Sequence, residues 1–424
     1  MTIIKKQIVL ILPYLNVNTT SAERFKSFIR AFELNNSLNT NVITFDYGIK
    51  KSYFLGLETT PADSFSPKNY QIIKVKLNLI QSLGVRFLNN DFKKLWRIFQ
   101  LLHLIIYQKD IFYPNFSLND LNIELKNNDY IFTSGSHFSL FEIAENLSKK
   151  FGLKLILDYR DPWTLGYNPI DGLSVIHYLK ILISRKKEIK LLNSAFLITT
   201  VSESLKSFFP LHYQSKIKIF ANGSNFLIEE VEKQTQTKTF QIVYAGTIYR
   251  EQLQDETFFE SLQGFVVNKK TENIKLKFLG VGDNKSLKKL IKKYNLKNIT
   301  SYTHRLKRDE FLLQMNNTSI FLHLKYGNKK DVISSKQAEY LMFNRPILLP
   351  VSDNGDIAES ILKNKAGFVC NNQSEVLKAL ESIWTKFKNQ ENLYLNRIET
   401  YNFNISREKI AKDFVNMVLN PPNS

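Results

Sequence analysis

Short apolar runs alternate with amphipathic stretches along most of the chain, and this alternation predicts parallel α/β architecture. "QIVLILPYL" (7–15) is expected as a strand, "SAERFKSFIRAFELN" (21–35) as a helix capped by serine, and "NVITFDY" (41–47) as the next strand. Residues 50–125 break the pattern: "FKKLWRIFQLLHLIIYQKD" has helical character, but the remainder has no clear period and is expected as loops. Order returns with strand "DYIFTSGS" (129–136), helix "HFSLFEIAENLSKKFG" and strand "LKLILDY" (153–159). A basic segment follows (175–196), then strand "FLITT", a serine-capped helix "SESLKSFF", and a strand and turn in "KIKIFANGSN".

Residues 224–240 are polar and aperiodic, as a linker would be. Beyond them a second series runs strand "QIVYAG", helix "DETFFESLQGFVVNK", strand "IKLKFLGVG", helices "SLKKLIKKYNL" and "RDEFLLQMN", strand "SIFLHL", and then "DVISSKQAEYLMFNRPILLP" (331–350). The expected organisation is a domain over 1–222, a linker over 223–240, a second domain over 241–400, and a C-terminal helix within 401–424 packing back on the first domain. The chain's 424 residues exceed the roughly 250–300-residue ceiling for one core, which also argues for two domains.

Composition narrows the picture further. A hydrophobic share of 43% is enough for two cores, yet no apolar run reaches the ~18 residues that would span a bilayer. The N-terminal "MTIIKKQIVLILPYLN" mimics a signal peptide, but the apolar stretch is short, ends at Pro13 and lacks a small-residue cleavage site. A first strand and a cytoplasmic location are therefore expected. The single cysteine, Cys370, excludes an internal disulfide framework and any cysteine-rich metal site. A net charge of +19 implies attraction to something anionic, although a drift toward AT-rich codons produces the same lysine excess.

In open α/β sheets ligands bind at the carboxyl ends of strands, which directs attention to Gly246–Arg250, Gly280–Asp283 and the 331–339 stretch. Ser334 or Ser335 is placed to cap helix "KQAEYLMF", whose first-turn amides would then point at a phosphate, with Lys336 adding a charge. Glu339, a turn deeper, is placed to accept hydrogen bonds from vicinal hydroxyls. An ordinary capped helix with a surface lysine and glutamate is the other account of the same residues. Arg250 follows a glycine-bearing turn and would clamp a diphosphate, or stand solvated; Gly280 and Gly282 allow close backbone approach, or simply a tight turn.

The second half resembles the donor domain of GT-B fold glycosyltransferases, specifically the retaining family 4 group. Asp331, seven residues and then Glu339 leading "EYLMFNRPILL" fit that group's acidic signature, and "SSKQAEYL" matches a variant with serine-lysine before the glutamate. "YAGTIYR", "FLGVGD" and "VSESLKSFF" fall in the expected order, so the resemblance covers residues 5–15 and 129–385. It implies two doubly wound Rossmann-like domains facing across a cleft. It also implies that Glu339 holds the ribose of a UDP- or GDP-sugar, Arg250 and Lys336 its diphosphate, and Asp331 the transferred sugar, with Ser335 a further donor-binding candidate. The group usually carries glutamate where Asp331 stands, an arginine–lysine pair where only Arg250 remains, and a glycine-rich loop absent from "LPYLNVNTTSAER".

"LDYRDPW" (157–163) resembles the "RD-x-W" of a subgroup that builds bacterial surface polysaccharides. Arg160 and Asp161 are thus candidates at the cleft wall, or a structural ion pair anchoring Trp163, and His137 is a further cleft candidate beside a capping or packing role. No DxD motif stands at a strand end, so no metal or other cofactor is expected, and protein cations would neutralise the leaving diphosphate. The expected function is sugar transfer to a glycan or lipid-linked acceptor, with the basic segment 175–196 lying on an anionic membrane face or solvated. Alternatives are a sugar-nucleotide epimerase of the same fold and a nucleic-acid-binding protein. The second is disfavoured because lysines are spread along the whole chain rather than clustered with aromatics.

Overall fold

Each half of the chain builds one all-parallel sheet, because every strand but the last is followed by a crossover segment long enough to return the chain to the same edge direction. A computed structural model describes residues 5–17, 19–49, 65–117, 120–121, 123–135, 137–166, 175–226, 228–231, 238–269, 273–393, 395 and 405–420. The first sheet contains β1 (Lys6–Ile11), β2 (Leu38–Asp46), β3 (Tyr70–Lys74), β4 (Tyr130–Ser134), β5 (Lys154–Tyr159), β6 (Leu197–Thr200) and β7 (Ile217–Ile219), in the order β3-β2-β1-β4-β5-β6-β7. The second contains β8 (Phe240–Ala245), β9 (Ile274–Leu279), β10 (Thr300–Tyr302), β11 (Ile320–Leu322), β12 (Ile347–Leu349) and β13 (Gly367–Val369), in the order β10-β9-β8-β11-β12-β13. Both orders reverse direction once, between β1 and β4 and between β8 and β11. Those are the switch points at which doubly wound sheets receive ligands.

The chain divides into two compact units, residues 1–221 with 410–424, and residues 222–409. In the first unit the C-terminal helix Arg407–Leu419 contributes Phe414, which packs on Phe28, Phe32, Phe132 and Phe220. In the second, the two crossing segments are tied together: Ser224 and Ser406 form a parallel bridge, and the buried Arg407 donates to the carbonyls of Asn222 (2.8 Å) and Gly223 (3.0 Å).

Several expectations change in detail. The first helix spans Thr20–Glu33 and is capped by Thr19, whose hydroxyl accepts from the Ala22 amide at 3.1 Å, so the cap is not a serine within it. The region expected as loops contains β3 and a second helix, Leu79–Asn89, in addition to helix Lys93–Tyr107. β3 has only one buried residue, Ile73, so it lacks the apolar run that marks a central strand; its edge position explains why the pattern is faint. Part of the polar stretch 224–240 is folded, since Phe226 is buried and packs against Phe311 and Phe343; residues 232–237 lie outside the described residues.

Candidate functional site

At the second switch point the helix after β11, Ser335–Phe343, is locked onto the sheet by one side chain. Tyr340 is fully buried, stacks on Phe321 of β11 (4.3 Å between ring centroids), and accepts a hydrogen bond from the Ala245 amide at the end of β8 (2.8 Å). Lys336 lies four residues earlier on the same helix face, so the anchor that seats Tyr340 also turns Lys336 toward the sheet.

Lys336 is 7% exposed. Its ammonium donates to the Tyr244 hydroxyl and lies 3.8 Å from the centre of that ring; no carboxylate within salt-bridge distance faces it among the described residues. Burial pushes its pKa down to about 7, with Glu339 opposing the shift. A buried ammonium held by a phenol rather than a carboxylate is under-compensated, and an anionic ligand at this point would restore its charge.

Two glycines stand beside this ammonium at the carboxyl edge of the sheet. Gly246 has φ +97°, and a Cβ there would meet the Lys336 Cε at 3.6 Å; Gly280, at φ +76°, approaches the Gly246 backbone. These two positions need glycine for their backbone conformation. Gly282 also follows β9, with its amide on the Thr303 carbonyl (3.0 Å). Ser334 occupies the cap position of the helix with extended backbone, yet no side-chain cap hydrogen bond forms, so the expected serine capping is positional only. Ser335 opens the helix and is half-buried.

Glu339 sits three residues beyond Lys336 and is half-buried. Burial raises its pKa, while the positive charges of Arg407, Lys336 and Arg305 pull it back. Asp331 lies in the approach loop, also half-buried. That loop is pinned next door, where the Lys330 carbonyl accepts from the Asp356 amide at 2.8 Å. A Cβ on Gly355 would lie 2.1 Å from that same carbonyl oxygen. Gly355→Ala is therefore expected to displace the 330–331 loop and to destabilise the protein by about 1–3 kcal/mol in urea unfolding.

Sequence reasoning missed the groups that fix Lys336. Tyr244 and Gln252 form the strut: the Tyr244 hydroxyl donates to the Thr247 carbonyl (2.9 Å), and the Gln252 amide reaches the Leu324 carbonyl (2.9 Å), joining the β8 turn to the end of β11. His323 is fully buried beside them, and burial together with the nearby Lys336 charge pushes its pKa to about 3, so it is neutral. In sequence Tyr244 and His323 are polar members of apolar runs and Gln252 is one of several polar residues in "REQLQDE", with nothing to set them apart. Tyr340 alone carried a signal, its four-residue spacing from Lys336. Arg250 is exposed, at the first position of a short 3₁₀ turn, Arg250–Leu253.

In the first unit the expected structural ion pair between Arg160 and Asp161 does not form. Arg160 directs Nε and Nη2 to the Gly135 carbonyl (2.9 and 2.6 Å) and Nη1 to the Ser21 hydroxyl; it forms no ion pair with Asp161, which is exposed. The buried pair is instead Arg24 with Asp158 at 3.2 Å, both essentially without solvent. The Asp158 carboxylate also accepts from Ser134 (2.8 Å) and Thr199 (2.7 Å). Burial alone would raise its pKa, but Arg24, these hydroxyls and Arg160 outweigh that and hold it below the usual range. Trp163 is anchored by stacking on Phe138 at 4.9 Å, not by an ion pair. The turn behind it is held by the buried Glu188, which accepts from the Thr164 and Leu165 amides. His137 is half-buried with its ring 4.5 Å from that of Phe112.

No protein-family model matches the chain, and no curated protein matches it in sequence. Solved structures do match it over nearly its whole length. Sucrose-phosphate synthase from Thermosynechococcus elongatus aligns at 11% identity and a TM-score of 0.61, covering 97% of this chain and 98% of that one. A trehalose-6-phosphate structure from E. coli bound with UDP-2-fluoro glucose aligns at 12% identity and a TM-score of 0.58, covering 97% and 98%. UDP-GlcNAc 2-epimerase from Neisseria meningitidis, bound to UDP-GlcNAc, aligns at 11% identity and a TM-score of 0.51, covering 97% and 99%. At these identities the likeness is one of fold: the chain has the GT-B fold, with two Rossmann-like domains.

Proposed function

We propose that this chain is a glycosyltransferase that moves a sugar from a UDP- or GDP-sugar to a glycan or lipid-linked acceptor, with retention, in bacterial surface polysaccharide synthesis. The observation that carries the proposal is the buried, under-compensated Lys336 at the β8–β11 switch point, beside a helix start and one turn before Glu339. A donor diphosphate supplies the missing negative charge, and the helix start and Arg250 share it. Gly246, Gly280 and Gly282 admit the ligand close to the backbone, Glu339 takes the ribose hydroxyls, and Asp331 takes the sugar. In the first unit, Arg160, Asp161 and His137 stand at the carboxyl edge of the sheet, where an acceptor would bind.

In this mechanism the departing diphosphate is stabilised by fixed protein cations, which act where negative charge develops. The acceptor hydroxyl attacks from the face the diphosphate leaves, and the leaving oxygen takes its proton. A sugar-nucleotide-binding fold supports this reading: the matching structures named above include two bound to UDP-sugars. The epimerase named among them also keeps a second reading open, an epimerase acting on the sugar nucleotide itself.

Thermal shift with UDP-, GDP-, ADP- and CMP-sugars tests the donor site. At a donor concentration of about 100 Kd the native protein gains about 2.7 kcal/mol by mass action, and Glu339→Ala is expected to lose most of that gain. No stabilisation by any of the sugars would sink the donor site. Incubating the stabilising donor without acceptor then separates the two readings. A transferase leaves the donor's stereochemistry intact, whereas an epimerase converts it.

A further inference from the structure

The largest concentration of exposed large apolar side chains among the described residues lies between Phe92 and Tyr107, on helix Lys93–Tyr107. The helix is apolar on both sides. Its inner face buries Trp96, His103 and Leu104, which satisfies the need of an amphipathic helix for a core. Its outer face presents Leu95, Ile98, Leu102, Ile105 and Ile106, between 38% and 58% exposed. Their spacing of three and four residues makes a continuous stripe along the helix. A water-facing helix normally carries charge there.

The charge around the stripe is predominantly basic. Lys94 and Arg97 are exposed at its N-terminal end and Arg86 on the preceding helix; the two helices contain no acidic residue, and the acidic groups next to them in sequence are the exposed Asp91 in the turn between them and the half-buried Asp110 beyond the C-terminal end. Tyr107, 44% exposed, ends the stripe with a ring suited to the headgroup level of a membrane. Aliphatic side chains bordered by basic ones, on a helix lying flat, are the composition of an interfacial helix on an anionic membrane. A second copy of the chain fits poorly, because each carries a net charge of +19 and would bring basic residues against basic ones.

We propose that helix Lys93–Tyr107 is an anchor whose outer face inserts into the surface of an anionic lipid bilayer. This relocates the membrane contact expected from the basic segment 175–196. In helix Val175–Ser194, Lys187 is bound to Glu142 at 3.1 Å and Lys190 lies 3.7 Å from Glu145, so part of its charge is already neutralised within the protein. No helix among the described residues is long and apolar enough to cross a membrane. The inference stands on this surface alone and does not depend on the donor site.

Flotation with vesicles of phosphatidylcholine, with and without phosphatidylglycerol, tests it on the full chain. The native protein is expected to float with the phosphatidylglycerol vesicles, less so at high salt, and poorly with phosphatidylcholine alone. Ile98→Asp with Ile105→Asp should weaken binding about tenfold or more while melting at the native temperature, since both side chains are exposed. Ile105→Trp should shift its emission to the blue on vesicles and be quenched by brominated acyl chains. Native-like binding by the double aspartate variant, or unchanged Ile105→Trp emission on vesicle-bound protein, would overturn the anchor. So would a dimer that dissociates in the aspartate variant without any vesicle binding, because the face would then belong to a second copy.

Discussion

Lys336→Met is expected to raise the melting temperature of the ligand-free protein and to abolish nucleotide-sugar binding. The two effects share a cause. In the folded protein burial lowers the lysine's pKa to about 7 from its ordinary 10.5. At neutral pH and below, the fold therefore carries the full cost of burying that charge, on the order of 5 kcal/mol at roughly 1.4 kcal/mol for each pH unit between the two values. The cost is relieved as pH rises from about 7 toward 10.5, where the unfolded chain binds the extra proton and the folded one does not. Methionine keeps the length of the stem and removes the charge. The Tyr244 hydroxyl keeps its bond to the Thr247 carbonyl, so no polar group is orphaned.

The lost contact between the ammonium and the Tyr244 ring offsets part of the relief. A net gain of about 5–10 °C near pH 7 is the expected size, at roughly 2–4 °C per kcal/mol for a domain of this length. The gain should shrink steadily as the measurement is repeated toward pH 10. Donor binding should behave oppositely in the native protein: constant below about pH 7 and weakening above it, because the diphosphate must recruit a proton to the lysine. Calorimetry in two buffers of different ionisation heat would detect that uptake. A variant that melts lower than the native protein at every pH would show that Lys336 is structural and would remove the central support for the donor site.

The second large effect is expected at Asp158, which is far from the donor-site residues in sequence. Asp158→Ala leaves the fully buried Arg24 guanidinium without its counter-charge, orphans the Thr199 hydroxyl and leaves the Ser134 hydroxyl only the longer 3.3 Å contact with the Gly135 carbonyl. Breaking a buried pair from one side costs about 3–5 kcal/mol, which corresponds to a fall in melting temperature of roughly 10 °C. Arg24→Leu combined with Asp158→Leu should cost less than the single change, since no uncompensated charge remains. The Ala221 carbonyl, which accepts from Arg24 at 2.6 Å, keeps the double variant below the native protein. The native Asp158 carboxyl titrates below its unfolded value, so its contribution is present above the ordinary carboxylate range and is lost as pH falls through the lowered native value. Asp158→Asn should flatten that part of the acid limb. A single and a double variant of equal stability would mean that the ion pair itself contributes little.

Much of the fold was legible from local pattern. β8 and β9 follow the apolar runs closely: all six residues of β8 are buried, as in a central parallel strand, and β9 alternates buried with less buried positions over Ile274–Lys277. β3 and helix Leu79–Asn89 were not legible. β3 is an edge strand with one buried residue, and the helix is fixed by a capping box at Asn78 and by Gln81, whose amide reaches the carbonyls of Ile111 and Tyr113 some thirty residues away. Helix Lys93–Tyr107 could be read as a helix, but its two apolar faces look alike in sequence, and only burial separates the one that carries Trp96 from the one in solvent.

The candidate site divides in the same way. Sequence alone determined that Lys336, Glu339 and Tyr340 share a short helix, because helical spacing is a local property. It also placed glycines after two strands, where the chain turns at the sheet's carboxyl edge. Only the tertiary structure decided that Lys336 is buried on Tyr244, 92 residues earlier in the chain, and that Arg24 is matched by Asp158, 134 residues later, rather than Arg160 by the adjacent Asp161. The physical reason is that the state of a charge depends on the solvent and partners around it. Those are set by which strands become neighbours, and strand order is a long-range property that no local stretch of the chain contains.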